Sequence, residues 1–363
     1  YFMKPIIKEN FSILFNENGY LNLADFILKK NYQNILFLTD TNTEKYCLKS
    51  FKKSICNINS KVSKIIDSNS FYYSLPHGES SKNINESIKV WDFLIQNGFK
   101  RNSLIINLGG GMVTDIGGFI SSTFMRGIDF VNVPTTLLGM VDASIGGKTG
   151  LDFKNLKNII GKFEFAKIIL IDDSFLETLN DQQIISGFAE MIKHALIDSP
   201  NHWNTIREIK SLKNISKDMI YNSILTKVKI IEKDPTEKDI RKYLNYGHTL
   251  GHAIESYLLG TKRELLHGEA ISVGMILESY LSCLRCKFDI NKVNQIKSFV
   301  MKFYKKIDFT ATDIKMVIKL LKYDKKNIND NALFVLIRNI GDPTTNNEVN
   351  IKEIKEAFRF YQD

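Results

Sequence analysis

Five short runs of apolar and β-branched residues punctuate the first half of the chain: NILFLTD (34–40), SFYYSLP (70–76), SLIINLGGG (103–111), DFVNVPTT (129–136) and KIILIDDS (167–174). Helical patterns lie between several of them, as in NESIKVWDFLIQNG (85–98), whose apolar positions are Ile88, Val90, Trp91, Leu94 and Ile95. Strands that alternate with helices predict a largely parallel α/β sheet covered on both faces. Beyond about Phe175 the runs lengthen and the 3.6-residue period takes over, in QIISGFAEMIKHALI, KDMIYNSILTKVKIIEKD, TLGHAIESYLL and ISVGMILESYLSCLRC. The second half is therefore expected to be mainly α-helical, with one late strand in ALFVLIRNIG (332–341). Two domains are expected, 1–174 and 175–363, and 363 residues are enough to give each a core.

Composition narrows the function classes. With 44% hydrophobic and 25% charged residues the chain is an ordinary globular one, neither disordered nor fibrous. No stretch approaches the roughly 18 uncharged apolar residues of a membrane helix, and Lys4, Lys8 and Glu9 interrupt the N-terminal segment, so a cytoplasmic protein without a membrane partner is expected. The net charge of +9 (49 basic less 40 acidic) comes from scattered lysines rather than a basic run. That favours a small anionic substrate over nucleic acid. Cys47, Cys56, Cys283 and Cys286 form no disulfide framework, and Cys283-x-x-Cys286 lacks a second pair, so packing is the expected role.

Gly109-Gly110-Gly111-x-x-x-Asp115, with Gly117-Gly118 beyond, directly follows the run SLIINL. Glycines there let backbone N–H groups approach a pyrophosphate at a helix N-terminus. A glycine-rich turn is as often mere close packing, and its weight comes from polar groups at other strand ends: Asp40-Thr41-Asn42, and Gly78-Glu79-x-x-Lys82. The segment VPTTLLGMVDASIGGKTGLDFKNLKN (133–158) places Asp142, Lys148, Lys157 and Asn158 among glycines and small hydroxyls, a composition suited to a loop that wraps an anion.

In the second half, GHTLGHAIES (247–256) and LLHGEA (265–270) put three of the six histidines within about twenty residues. Glu190 and His194 in AEMIKH stand i,i+4 on a helix, as do His248 and His252, so either pair presents two groups on one face, and His267 adds another from beyond a loop. Two histidines and a carboxylate would leave an open position for a substrate oxygen, the arrangement of a Lewis-acid zinc. Spacing alone does not choose among these groups. Lys193 stands one turn from Glu190 and Asn245 one turn before His248, while Lys227 and Arg241 flank Asp234. His77 and His202 have no such company. The two halves together point to an enzyme holding a dinucleotide in one and a metal in the other.

Taken in order, GGGMVTDIGGFISSTFMRG, PTTLLGMVDASIGGKTG, LKNIIGKF, GFAEMIKHALID, LNYGHTLGHAIE, LHGEA and YDKKN closely resemble the 3-dehydroquinate synthase family of the sugar phosphate cyclase superfamily, over about residues 34–341. The resemblance implies a Rossmann-like NAD-binding α/β domain followed by a helical metal- and substrate-binding domain. It implies zinc, with cobalt as the alternative, on Glu190, His248 and His267, with His194 outside the ligand set. NAD would contact Asp40, Asn42, Glu79, Lys82, Gly109, Gly110, Gly111, Asp115, Thr135, Thr136, Lys157, Phe175, Thr178 and Leu179. Substrate would meet Arg126, Asp142, Lys148, Asn158, Lys193, Lys227, Arg241, Asn245, His252 and a lysine of the pair Lys325 and Lys326, with Lys148, Lys193, Asn245 and His252 catalytic. Two features depart from the family pattern: Thr114 stands where many members carry a glycine, and the stretch between His252 and His267 is of variable length.

The implied reaction converts 3-deoxy-D-arabino-heptulosonate 7-phosphate to 3-dehydroquinate and phosphate by transient NAD-dependent oxidation, elimination, re-reduction and intramolecular aldol closure. Lys227 and Arg241 together suit a carboxylated substrate, because buried cations need an anion. Two alternatives remain open at this point: another sugar phosphate cyclase, or a metal-dependent polyol dehydrogenase of the glycerol dehydrogenase type. The resemblance also implies a homodimer with sites in clefts between the two halves, and the segment SSTFMRGIDFVNVP (121–134) is the expected edge strand at the subunit contact.

Overall fold

The computed structural model describes residues 3–154, 156–321 and 332–363. The chain divides into two compact units, Tyr1–Asn180 and Asp181–Asp363, so the short turn Asp173–Thr178 belongs to the first of them.

The strands of the first unit are β1 (Ile6–Ile7), β2 (Ser12–Phe15), β3 (Asn34–Asp40), β4 (Ser70–Leu75), β5 (Ser103–Gly109), β6 (Asp129–Pro134), β7 (Lys148–Phe153), β8 (Leu156–Phe163) and β9 (Ile168–Ile171). Seven of them form one sheet in the order β1-β2-β9-β6-β5-β3-β4. Every pairing in it is parallel except β1 with β2, which bears out the expected largely parallel sheet. Its interior strands are buried on both faces: all seven residues of SLIINLG are buried, as are all four of IILI. That double burial is why these strands read as continuous apolar runs rather than as alternating ones.

The same physics overturns the edge-strand expectation for 121–134. β6 pairs with β5 on one side and β9 on the other, and five of the six residues of DFVNVP are buried. A strand hydrogen-bonded on both sides has no free ladder to offer a second subunit. The segment before it is not extended at all. Helix Gly111–Thr123 ends in a turn where Met125, Arg126 and Gly127 take φ of 53°, 68° and 115°, which leaves Arg126 exposed.

Helix Gly111–Thr123 lies flush on the sheet because of its glycine pair. A Cβ at Gly117 would stand 1.9 Å from Asn107 Oδ1, and one at Gly118 would stand 2.5 Å from Thr149 Cγ2. Asn107 on β5 donates to Asn132 Oδ1 on β6 at 2.9 Å, which pairs the amide groups beneath the helix. Residues 133–158 are not the single wrapping loop that their composition suggested. After β6 a helical turn occupies Gly139–Ala143, and Lys148 then opens the antiparallel hairpin β7–β8. Gly150 and Gly161 face each other across that hairpin, and a Cβ at Gly161 would meet Thr149 O at 2.3 Å, so the small residues serve strand contact. The short strands β1 and β2 were not foreseen, since a four-residue run such as SILF is too brief to declare its type.

The described residues of the second unit are mainly helical, with one hairpin. Helix His267–Cys286 is its axis, with thirteen buried residues, and it packs against helices Asp181–Asp198, His248–Leu258, Ile290–Val300 and Ile351–Gln362. A helix apolar nearly all round must lie inside. Strand β10 (Leu333–Asn339) occupies the expected late run and pairs antiparallel with β11 (Asp342–Glu348), whose sequence DPTTNNE carries no apolar alternation. No helix among the described residues is long and apolar enough to cross a membrane.

Candidate metal centre and cofactor turn

In the first unit, β5 ends at Gly109, Gly110 is the N-cap, and the helix begins at Gly111 with no side-chain cap and no acid in its first turn. Its leading N–H groups and positive dipole end are thus left for an anion. The three glycines also fit closely, since a Cβ at Gly110 would meet Thr136 Cγ2 at 3.0 Å and one at Gly111 would meet Ala143 Cβ at 3.0 Å. Thr114 is accommodated by turning its hydroxyl back to Gly111 O at 3.0 Å.

Asp40 caps the helical turn after β3, accepting from the Asn42 and Thr43 N–H groups at 2.8 and 2.9 Å, while Asn42 itself is exposed. Lys82 is buried and meets three carboxylates, Glu79 at 2.6 Å, Asp115 at 3.4 Å and Asp152 at 3.7 Å. Burial opposes its charge, but the three carboxylates outweigh it and raise its pKa above the ordinary lysine value. Thr135 is buried and Thr136 Oγ1 accepts from Gly139 N at 3.1 Å. Phe175 packs in the core, whereas Thr178 is exposed and Leu179 half-buried. Asp142 and Lys157 are half-buried, and Lys148 and Asn158 are exposed on or near the hairpin. Asp152 was missed in the sequence. It receives the Asn158 N–H at 2.8 Å and gives its own N–H to Lys82 O at 2.8 Å, tying the hairpin to Lys82.

The second unit brings Glu190, His248 and His267 together. Glu190 sits on helix Asp181–Asp198, fully buried. Its Oε1 stands 3.3 Å from His248 Nε2 and 3.4 Å from His267 Nε2. Ligands about 2.0–2.1 Å from a tetrahedral ion stand about 3.3 Å from one another, so these separations fit a zinc-sized ion. Lys193, one turn along the helix, ion-pairs with Glu190 Oε2. Beyond these contacts with Lys193 and the two imidazoles, neither carboxylate oxygen of Glu190 has a hydrogen-bond partner among the described residues, which suits a metal ligand. Burial alone would push its carboxyl up, but Lys193 and the two histidines hold it well below the usual carboxylate range. Burial keeps His248 neutral by lowering its pKa. For His267 burial acts the same way, yet its bonds to Glu190 and Glu255 prevail and raise it to about 9.

The other ring nitrogens set the orientation of each imidazole. His248 Nδ1 faces Tyr246 O at 3.1 Å and His267 Nδ1 faces Glu255 Oε2 at 3.3 Å, so each turns its Nε2 toward Glu190. His252 is exposed, with a ring nitrogen within 4.8 Å of those of His248 and His267. His194 is buried with Nδ1 on Ser223 Oγ at 2.6 Å, and it too has a ring nitrogen within 4.8 Å of a Glu190 oxygen. Lys227 and Arg241 are both buried. Arg241 gives its guanidinium to Pro235 O and its N–H to Asp234 Oδ2, so part of its charge is answered within its own loop. Asn245 donates to Glu237 Oε1 at 2.7 Å, and Gly247 with φ of 80° separates it from the helix that begins at His248. Lys325 and Lys326 lie outside the described residues.

Glycines bring these helices close enough. A Cβ at Gly268 would stand 2.1 Å from Ser186 O, and one at Gly274 would stand 1.9 Å from Gly247 O. Asp313 braces the connection that leads into His267: it accepts from Tyr257 OH at 2.7 Å, Thr310 N at 2.8 Å and Arg263 Nη1 at 3.1 Å. Burial would raise its carboxyl, but these bonds lower it to about 2. A depressed acid stabilises the fold above its unfolded pKa, about 3.9, and loses that contribution as pH falls toward 2. Asp313→Asn is therefore expected to cost about 1–2 kcal/mol at pH 7, allowing for screening at the exposed arginine. The gap from the wild type should narrow by pH 3 in denaturant titrations, and an unchanged gap would show that the charge is not its source.

Known proteins place the chain in context. The family description "3-dehydroquinate synthase N-terminal" matches residues 72–186 and "3-dehydroquinate synthase C-terminal" matches residues 187–327. A 3-dehydroquinate synthase of Parabacteroides distasonis is 37% identical over 350 residues, covering 94% of this chain and 95% of that protein. Among solved structures, a 2-deoxy-scyllo-inosose synthase superposes with a TM-score of 0.82 at 23% identity over 98% of this chain and 99% of that one. A 2-epi-5-epi-valiolone synthase from Streptomyces hygroscopicus superposes with a TM-score of 0.79 at 23% identity over 100% and 99%. The two family segments run in unbroken succession through both units, from the strands around the glycine turn to the helices that carry Glu190, His248 and His267, and the chain belongs to the 3-dehydroquinate synthase family.

Proposed function

We propose that the chain converts 3-deoxy-D-arabino-heptulosonate 7-phosphate to 3-dehydroquinate and phosphate, using NAD and one divalent ion, zinc before cobalt. One observation carries the reading: Glu190 Oε1 lies 3.3 and 3.4 Å from the Nε2 atoms of two imidazoles whose Nδ1 atoms face other acceptors. The relatives support it, since the inosose synthase was solved with NAD+ and Co2+ and the valiolone synthase with NAD+ and Zn2+. One carboxylate oxygen with two imidazoles is a donor set that suits zinc. The reading includes a homodimer in the cytoplasm, on the strength of the family alone.

Bound to this chain, NAD supplies a reversible hydride acceptor and the ion a Lewis acid. The residues do the remainder. The Gly110–Gly111 helix start receives the cofactor's diphosphate with backbone N–H groups, and the Lys82 cluster fixes Asp115 beside it. Glu190, His248 and His267 hold the ion, and Lys193 balances the second oxygen of Glu190. Lys193, Lys227 and Arg241 supply positive charge for a substrate that carries both phosphate and carboxylate. His252, exposed beside the two ligand histidines, is placed to exchange a proton between substrate and solvent.

Phosphate release from the heptulosonate phosphate tests the reading. Metal-stripped protein supplied with NAD should release none, and added zinc should restore release. Failure to release phosphate, together with NADH formed from a simple polyol, would replace the cyclase with a dehydrogenase.

A further inference from the structure

We propose that Glu278 is a positioning residue for the metal centre, fixing the orientation of His248 and through it the affinity of the site for a divalent ion; the inference rests on the reading of Glu190, His248 and His267 as ligands. Glu278 lies in the apolar run ISVGMILESYL of helix His267–Cys286 and is completely buried. A carboxylate in such a place must be answered by hydrogen bonds. Its Oε2 accepts the Gly247 N–H at 2.7 Å and its Oε1 accepts the Leu250 N–H at 3.0 Å.

Those two amides belong to the start of helix His248–Leu258, whose N-cap is Gly247 and which has no side-chain cap of its own. A helix start leaves its first N–H groups without intrahelical partners and carries the positive end of the dipole. Glu278 thus does from a neighbouring helix what a capping Asp or Ser would do from within the chain. Its neighbour Ser279 adds a second hold, with Oγ 2.6 Å from Tyr246 OH. Residues 246 and 247 are therefore pinned by two successive side chains of one helix.

What they pin is the carbonyl that orients the ligand. Tyr246 O receives His248 Nδ1 at 3.1 Å, and the opposite ring nitrogen is the one 3.3 Å from Glu190 Oε1. The helix that holds this turn also begins with His267, whose Nε2 stands 3.4 Å from the same oxygen. A single rigid helix thereby registers both histidines against Glu190. Groups that orient metal ligands at one remove typically change affinity by about 10–100-fold when removed.

A purely structural Glu278 would lower stability without changing how tightly the folded protein holds its ion. Zinc and cobalt dissociation constants of metal-stripped protein, measured by chelator competition, separate the two, with the cobalt absorption spectrum and the melting temperature of the metal-free form read alongside. In Glu278→Gln, which keeps the shape but sets an NH2 against a backbone N–H, the dissociation constant is expected to rise by about tenfold or more, with an altered cobalt spectrum. In a His248→Ala background the same change should add nothing further to the loss. A wild-type dissociation constant in Glu278→Gln, with only the metal-free melting temperature lowered, would overturn the proposal. Should that variant fail to fold, Ser279→Ala, which removes only the partner of the Tyr246 hydroxyl, should show a smaller shift in the same direction, and no shift would count against the proposal. If His248→Ala itself binds zinc like the wild type, the ligand reading is what fails, and that result is visible without Glu278.

Discussion

His267→Ala is expected to leave the chain folded but without stoichiometric metal, and to lower turnover by about a thousandfold or more, the scale of several kcal/mol of lost Lewis-acid stabilisation. His267 Nε2 is 3.4 Å from Glu190 Oε1, a ligand-to-ligand distance, and its side chain is 27% exposed at the head of its helix, so removing it opens a coordination position without hollowing the core. His194→Ala is the informative contrast. That ring is fully buried with Nδ1 on Ser223 Oγ, so its loss should destabilise the fold by about 1–3 kcal/mol while the ion stays bound. Metal content by mass spectrometry or atomic emission decides between them. Zinc retained in His267→Ala and lost in His194→Ala would exchange their roles and refute the ligand assignment.

Gly274→Ala is expected to be the most damaging of the small substitutions. The added Cβ would stand 1.9 Å from Gly247 O and 2.8 Å from Gly251 N, and both atoms are backbone, so no side chain can swing aside. Helices His248–Leu258 and His267–Cys286 would have to part, at a cost of about 3 kcal/mol or more. For a unit of this size that corresponds to a melting-temperature loss on the order of 10 °C. Parting the helices also displaces the Tyr246–Gly247 turn, so metal affinity should fall with stability. Gly260→Ala provides the control: it has open space around it and only the strain of φ +71°, so about 1 kcal/mol and no change in metal binding are expected. A Gly274→Ala protein with native melting temperature and native zinc affinity would show that the crossing is looser than the structure describes.

These two cases also show which parts of the molecule are legible in a sequence. β3, β5 and β9 announce themselves because strands buried on both faces must be apolar throughout, and IILI or NILFLTD has no other economical reading. β11 is silent, because DPTTNNE is held by backbone pairing to β10 rather than by apolar alternation. The placement of β6 was misread for a related reason: apolar strand residues next to an arginine look like an edge, yet only the pairing on both sides reveals an interior strand.

The density of histidines at 248, 252 and 267 marks a metal or catalytic region, but i,i+4 spacing is equally good for His194, His248 and His252. What separates them is the distance between helices, and that is set by Gly268 and Gly274 meeting the backbone at Ser186 and Gly247. Glu255 and Glu278 escape a sequence reading because acids in helical patterns ordinarily face water. For Glu278 a signal did exist, a lone acid inside ISVGMILESYL on a helix apolar nearly all round, where burial demands partners.

As a cyclase, this chain is expected to use its cofactor as a catalyst and to return the hydride it takes. The direct measurement is the molar ratio of phosphate released to NAD supplied, with NAD far below the heptulosonate phosphate and zinc saturating, while absorbance reports NADH. Conversion of all the substrate, a ratio far above one, and no net NADH at the end are expected. Phosphate release that stops when the NAD is spent, with NADH accumulating in proportion to product, would contradict it.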